Sequence, residues 1–174
     1  MTTDIAVSSA HRPSLWKGAV AGLIGGLAAS WAMNQFQTAL SAVSDHENEQ
    51  ESGEDSEDAT MKAADGLSKT VLGRPLTTAE KRSAGPVLHY VFGSAVGVAY
   101  GVMAEEMPQM AMAYGAPFGT AVWIGADEIA VPAFGLSKPP AEYPLSTHAS
   151  ALAAHVVYGV TADLVRCTVR AILR

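Results

Sequence analysis

What most constrains this chain is the recurrence of long runs that carry no charged side chain. Gly18 to Val43 has none. Ser83 to Ala104 is interrupted only by His89, and Met107 to Ala126 is uncharged and resumes as an apolar stretch after Asp127 and Glu128. Tyr143 to Ala162 holds only His148 and His155. A helix crosses the roughly 30 Å hydrocarbon core of a bilayer with about 17–25 apolar residues. Four such runs within 174 residues resist assembly into a water-soluble core. The expectation is an all-α membrane protein, a four-helix transmembrane bundle forming one integral membrane domain, with spans at 15–37, 86–104, 116–135 and 146–165. A soluble Ala/Gly-rich bundle is the competing fold. A cleaved signal peptide is disfavoured, because Trp31 stands between the small residues of the would-be cleavage site and uncharged sequence continues through Asn34 and Gln35.

Charge is concentrated in one place. Of 17 acidic residues, eight fall between Ser44 and Thr60; outside that segment nine acids face eleven lysines and arginines. This stretch has no aromatic or aliphatic core-former and reads as a flexible acidic loop over 44–60 between the first two spans. Met61, Ala64, Leu67, Val71 and Leu72 then give helical periodicity, a short amphipathic helix able to lie on the membrane surface. No basic patch of the kind nucleic acid requires is present. Cys167, the one cysteine, leaves no intramolecular disulfide and no CxxC motif.

Turn and cap residues mark the helix ends. Thr77 to Glu80 forms a capping-box pattern for a short helical turn, and Pro86 suits the first turn of the second span. Pro117 suits the first turn of the third span and Pro132 ends or kinks it, while Ser146 is placed to cap the fourth. In an up-down bundle, His89, Asp127, Glu128, His148 and His155 then share one leaflet. Lys17, Glu105, Glu106 and the stripe Arg166, Arg170 and Arg174 share the other. Basic residues close to helix ends weigh most in fixing orientation. Lys17, Arg12 and the stripe, read as snorkelling to anionic headgroups, therefore put both termini on the cytoplasmic side.

Carboxylates and histidines inside a membrane are costly and face the bundle interior or water. One functional reading of His89, Asp127, Glu128, His148 and His155 is a proton-responsive cluster that changes charge between pH 5 and 7. The structural alternative is a set of interhelical hydrogen bonds and headgroup contacts. No HExxH, ExxH or CxxC spacing supports a metal, no cofactor is implied, and no GxSxG elbow or phosphate loop supports catalysis. The expectation is a protein that is not an enzyme. Glycines recur at four-residue spacing at Gly18 and Gly22 (with Gly26 beyond), at Gly93, Gly97 and Gly101, and at Gly115 and Gly119. Such ridges let helix backbones approach closely, within one bundle or against a second copy.

The segments LWKGAVAGLIGGLAASWAMNQFQ, LHYVFGSAVGVAYG, ADEIAVPAFGLSKPP and YPLSTHASALAAHVVYG resemble the YagU-like family of bacterial inner-membrane proteins, a domain family of unknown function. The resemblance implies a multi-pass inner-membrane protein linked to acid tolerance, with no assigned catalytic residues. Two other functions stay open: a small proton or ion transporter or channel subunit, and an accessory subunit of a larger membrane complex. In every case the lipid bilayer is the first partner, a homo-oligomer or membrane complex is a further one, and nucleic acid is none.

Overall fold

The computed structural model describes residues 14–44 and 58–173. Most of the acidic 44–60 segment, Arg12 and Arg174 lie outside the described residues. All regular elements among the described residues are helical: α1 (Leu15–Ser44), α2 (Ala59–Val71), α3 (Thr78–Glu106), α4 (Ala116–Trp123), α5 (Val131–Ala133) and α6 (Leu145–Ile172). Two of these, α3 and α6, are long and apolar enough to cross a membrane.

Local sequence explains the boundaries, and several differ from expectation. α1 runs on to Ser44 because nothing between Thr38 and Ser44 breaks a helix: no proline or glycine occurs there. α2 starts inside the expected acidic loop, where Asp58 caps it by accepting from the Met61 N–H at 2.7 Å. Thr77 and Glu80 do form a reciprocal capping box, but they cap α3 itself. The expected separate turn is continuous with the span, and Pro86 sits inside the helix at the cost of one backbone hydrogen bond.

Pro132 shapes the third span. It cannot donate a backbone hydrogen bond, and the helix before it widens into a π-helical segment, Ile124–Ala130, in which the Val131 N–H reaches back to the Ala126 carbonyl. α5 is the last turn, closed at Gly135 with φ +69°. α6 begins one residue earlier than expected, behind Pro144; Ser146 lies within its first turn and makes no cap hydrogen bond.

Packing is set by small residues. α1 lies against both α3 and α6, α4 lies against α6, and α2 runs antiparallel along the first turns of α3. Thr60 and Met61 adjoin Gly85, and Asp65 bonds the Leu76 N–H at 2.7 Å. The face that α2 buries is polar, Asp65 and Ser68 with Ala64, while Leu67, Val71 and Leu72 are exposed. This helix stands along α3 because its carboxylate, not an apolar stripe, provides the attachment. Gly18, Gly22 and Gly26 meet Gly101, Gly97 and Gly93 backbone to backbone, and Gly115 and Gly119 meet Gly159. Gly115 is doubly constrained: φ is +78°, and a Cβ there meets the Gly159 carbonyl.

Candidate functional site

The glycine contact between α1 and α3 ends at Gly93. Its neighbour across the interface is Ser30, whose buried Oγ has no hydrogen-bond partner. Tyr158 from α6 donates to the Gly93 carbonyl at 2.6 Å and completes a floor. Beyond it α3 and the π segment stand apart, and the gap is a cavity of about 750 Å³. Asn34, His89, Phe92, Val122, Asp127, Phe134, Leu136 and His155 are among its lining residues, with Asp58 and Thr60 of α2 at the mouth.

Adjacent helical residues point about 100° apart, and Asp127 and Glu128 accordingly serve different histidines. Asp127 Oδ2 lies 3.7 Å from His155 Nδ1, beyond hydrogen-bond length. That nitrogen bonds the Ala151 carbonyl at 2.9 Å instead. A carbonyl only accepts, so Nδ1 carries the proton and a neutral ring leaves Nε2 as an acceptor. His89 Nε2 is buried and has no partner. Glu128 faces a second cleft and contacts His148 Nδ1 at 2.8 Å, while His148 Nε2 contacts the Pro140 carbonyl at 3.0 Å. Only the doubly protonated ring donates to both acceptors. The π segment turns these two carboxylates onto two histidines seven residues apart on α6. Among the described residues no three His, Cys, Asp or Glu side chains converge on a metal position.

The opposite end of the bundle is filled by ion pairs. Tyr100 donates to Asp163 at 2.9 Å, and Arg166 donates to the same oxygen from Nε at 3.1 Å and Nη2 at 2.6 Å. Arg170 Nη2 bonds Glu105 Oε2 at 3.0 Å, and the Ser14 N–H bonds that oxygen at 3.1 Å. Arg166 and Arg170 are therefore buried at 7% and 8% exposure. This corrects the reading of the stripe as a row of snorkelling groups: carboxylates on α3 and α6 take both guanidinium groups inward. Lys17 stays at the surface over the Trp16 ring.

His89, Asp127 and His155 thus share one cavity, Glu128 and His148 an adjoining cleft, and the arginines a separate layer. Sequence reasoning missed Ser30, Tyr158, Tyr100 and Asp163. Only Asp163 left a legible signal, the one acid on α6, three residues before Arg166. A family model described as a protein of unknown function (DUF1440) matches residues 63–164, from α2 through most of α6. No curated protein matches the chain, and no solved structure does.

Proposed function

Since the chain belongs to the DUF1440 family of proteins of unknown function, we propose from its geometry that it is a non-enzymatic multi-pass membrane protein whose cavity admits protons from one side to Asp127 and His155. The carrying observation is the one-sided arrangement: the cavity holds both groups at one end, and buried ion pairs occupy the other. In this reading α1 and the α4–α5 segment cross the bilayer beside α3 and α6, a four-helix bundle. Trp16, Val20, Leu23, Leu27 and Trp31 are exposed along α1, as expected of a lipid-facing side. The two tryptophans stand roughly 22 Å apart at about 1.5 Å per residue, within the roughly 30 Å hydrocarbon thickness.

With both termini cytoplasmic, in an inner membrane, the cavity faces the periplasm, where acid arrives first. This joins the geometry to the acid-tolerance role that the YagU-like resemblance implies. The groups facing Asp127 are His155 on α6, His89 on α3, Asp58 on α2 and its own neighbour Glu128, with Lys62, Lys138 and His148 across the adjoining cleft that Asp127 also lines; the α1 residues lining the cavity carry no titratable group. Infrared difference spectra of the protein in nanodiscs between pH 4.5 and 7.5 test the reading. A carboxyl band that appears in wild type, vanishes in Asp127→Asn and moves in His155→Gln is expected. Identical titrations in all three remove the proton-responsive role. The ion-pair layer disfavours an open channel, so proton flux into proteoliposomes is expected to equal that of empty vesicles.

A further inference from the structure

The cavity carries more acceptors than a proton needs. Its lining contains no lysine or arginine, and its ionisable groups are Asp58, Asp127, His89 and His155. Asp127, its side chain 40% exposed, accepts no hydrogen bond from any described residue, and the nearest ring nitrogen, His155 Nδ1, stands 3.7 Å away bonded to the Ala151 carbonyl. Ser30, fully buried, presents an unpartnered Oγ, and His89 an unpartnered Nε2. Buried polar atoms without partners are costly, and a carboxylate to which no described residue donates is free to accept from what enters the cavity. A cation carrying several N–H groups pairs with the carboxylate and keeps further donors for polar atoms of the lining. Most of the remaining wall is apolar, Phe92, Val122 and Phe134 among it, and the volume falls in the range of small-molecule pockets. Asp58 at the mouth adds a second carboxylate to the cavity lining.

We propose that this cavity binds a primary ammonium carried on an apolar chain, the ammonium at Asp127 and the chain against Phe92, Val122 and Phe134. The same chemistry is offered by a free alkylamine and by the ethanolamine head of a membrane lipid. Quaternary ammonium lacks the N–H donors that the acceptors require and is rejected.

Calorimetric titration at pH 7.5 with the 174-residue chain in dodecyl maltoside micelles tests the proposal. Hexylammonium is expected to bind saturably, and methylammonium, hexanol and hexanoate at least tenfold more weakly. Asp127→Asn is expected to weaken hexylammonium binding at least tenfold. Gly125 supplies an independent variant, since it lines the cavity and a Cβ on it meets nothing within 4 Å. Gly125→Leu narrows the cavity two residues from Asp127, keeps the carboxylate and is also expected to cost at least tenfold; it decides the matter if Asp127→Asn does not fold. Displacement of hexylammonium by dihexanoyl-phosphatidylethanolamine assigns the lipid head, and resistance to it assigns a free amine. Hexanol or hexanoate binding as well as hexylammonium, displacement by the phosphatidylcholine analogue, unchanged affinity in Gly125→Leu, or no saturable heat overturns the proposal. Gly125→Leu retains Asp127 and His155, so loss of amine binding with an intact carboxyl titration separates this site from the proton reading.

Discussion

Gly22 and Gly97 each occupy the space where the other would carry a side chain. A Cβ on Gly22 overlaps the Gly97 carbonyl and lies 3.0 Å from the Gly101 Cα; a Cβ on Gly97 overlaps the Gly22 carbonyl and lies 2.6 Å from the Gly26 Cα. Backbone cannot move aside as a flexible side chain does. Gly22→Val is therefore expected to destabilise the bundle by on the order of 3 kcal/mol, the upper range for overpacking. Denaturant unfolding in micelles measures it. Gly66→Ala is the control: a Cβ there meets nothing within 4 Å, and α2 should gain about 0.5–1 kcal/mol from the lost chain entropy.

The Asp163–Arg166 pair makes the second prediction. Both residues are buried, with Tyr100 donating to the same carboxylate oxygen. Asp163→Ala leaves a guanidinium inside the bundle without its closest partner, an arrangement that costs about 3–5 kcal/mol. Tyr100→Phe removes one hydrogen bond to a charge and costs about 1.5–3 kcal/mol. The double variant Asp163→Leu/Arg166→Met removes both charges and is expected to recover most of the loss. Unfolding midpoints of the three variants check the order; a double variant as unstable as Asp163→Ala contradicts it.

Much of this architecture was legible because helices announce themselves locally. The capping box at Thr77 and Glu80 and the glycine spacing on α1 and α3 are visible in a single segment. The fate of Arg170 was not, because its partner Glu105 comes from another helix, and a basic stripe every four residues looks alike whether it faces lipid or carboxylate. The cavity was equally hidden. It exists because α4 holds to α6 at Gly115 and Gly119 while the π segment before Pro132 departs from α3, and no local pattern records where two helices part. Asp127 and His155 were singled out for their cost in lipid; Ser30 was not, since a serine on a helix carries no such mark until its hydroxyl is found without a partner.

Acid should loosen the α2–α3 hairpin late. Asp65 is held below the usual carboxylate range by its bond to Lys69, then by the Leu76 N–H, with Lys81 also close. Glu80 is held at about 2, chiefly by Arg74 and then by the Thr77 cap. A depressed folded-state value contributes stability above the unfolded-state pKa of about 4, lost as pH falls through the folded value. The hairpin is thus expected to hold at pH 5 and to open only well below 4. Hydrogen exchange of α2 amides measures this, and Asp65→Asn is expected to raise exchange at pH 7 and flatten its pH dependence. Equal exchange in wild type and variant at pH 7 would show that Asp65 does not hold α2.

Orientation is the last prediction, and the inward turn of the arginines sharpens it. Positive residues fix topology by number near the helix ends, and acidic neighbours offset them little, so Arg166 and Arg170 keep their weight although each is paired. Together with the surface Lys17, next to Trp16 at the start of α1, they place that end of the bundle in the cytoplasm. Gly73, in the exposed turn between α2 and α3, belongs to the other end, and a reporter inserted beside it, leaving Gly73 itself at φ +69°, has open space around it. A reporter active only in the periplasm is expected to be silent at the C-terminus and active at Gly73. Replacing Lys17, Arg166 and Arg170 together should mix the two signals, whereas Lys138→Gln at the cavity end should leave them unchanged. A strong C-terminal signal with silence at Gly73 reverses the bundle, turns the cavity toward the cytoplasm, and takes from the acid-tolerance reading its access to external protons.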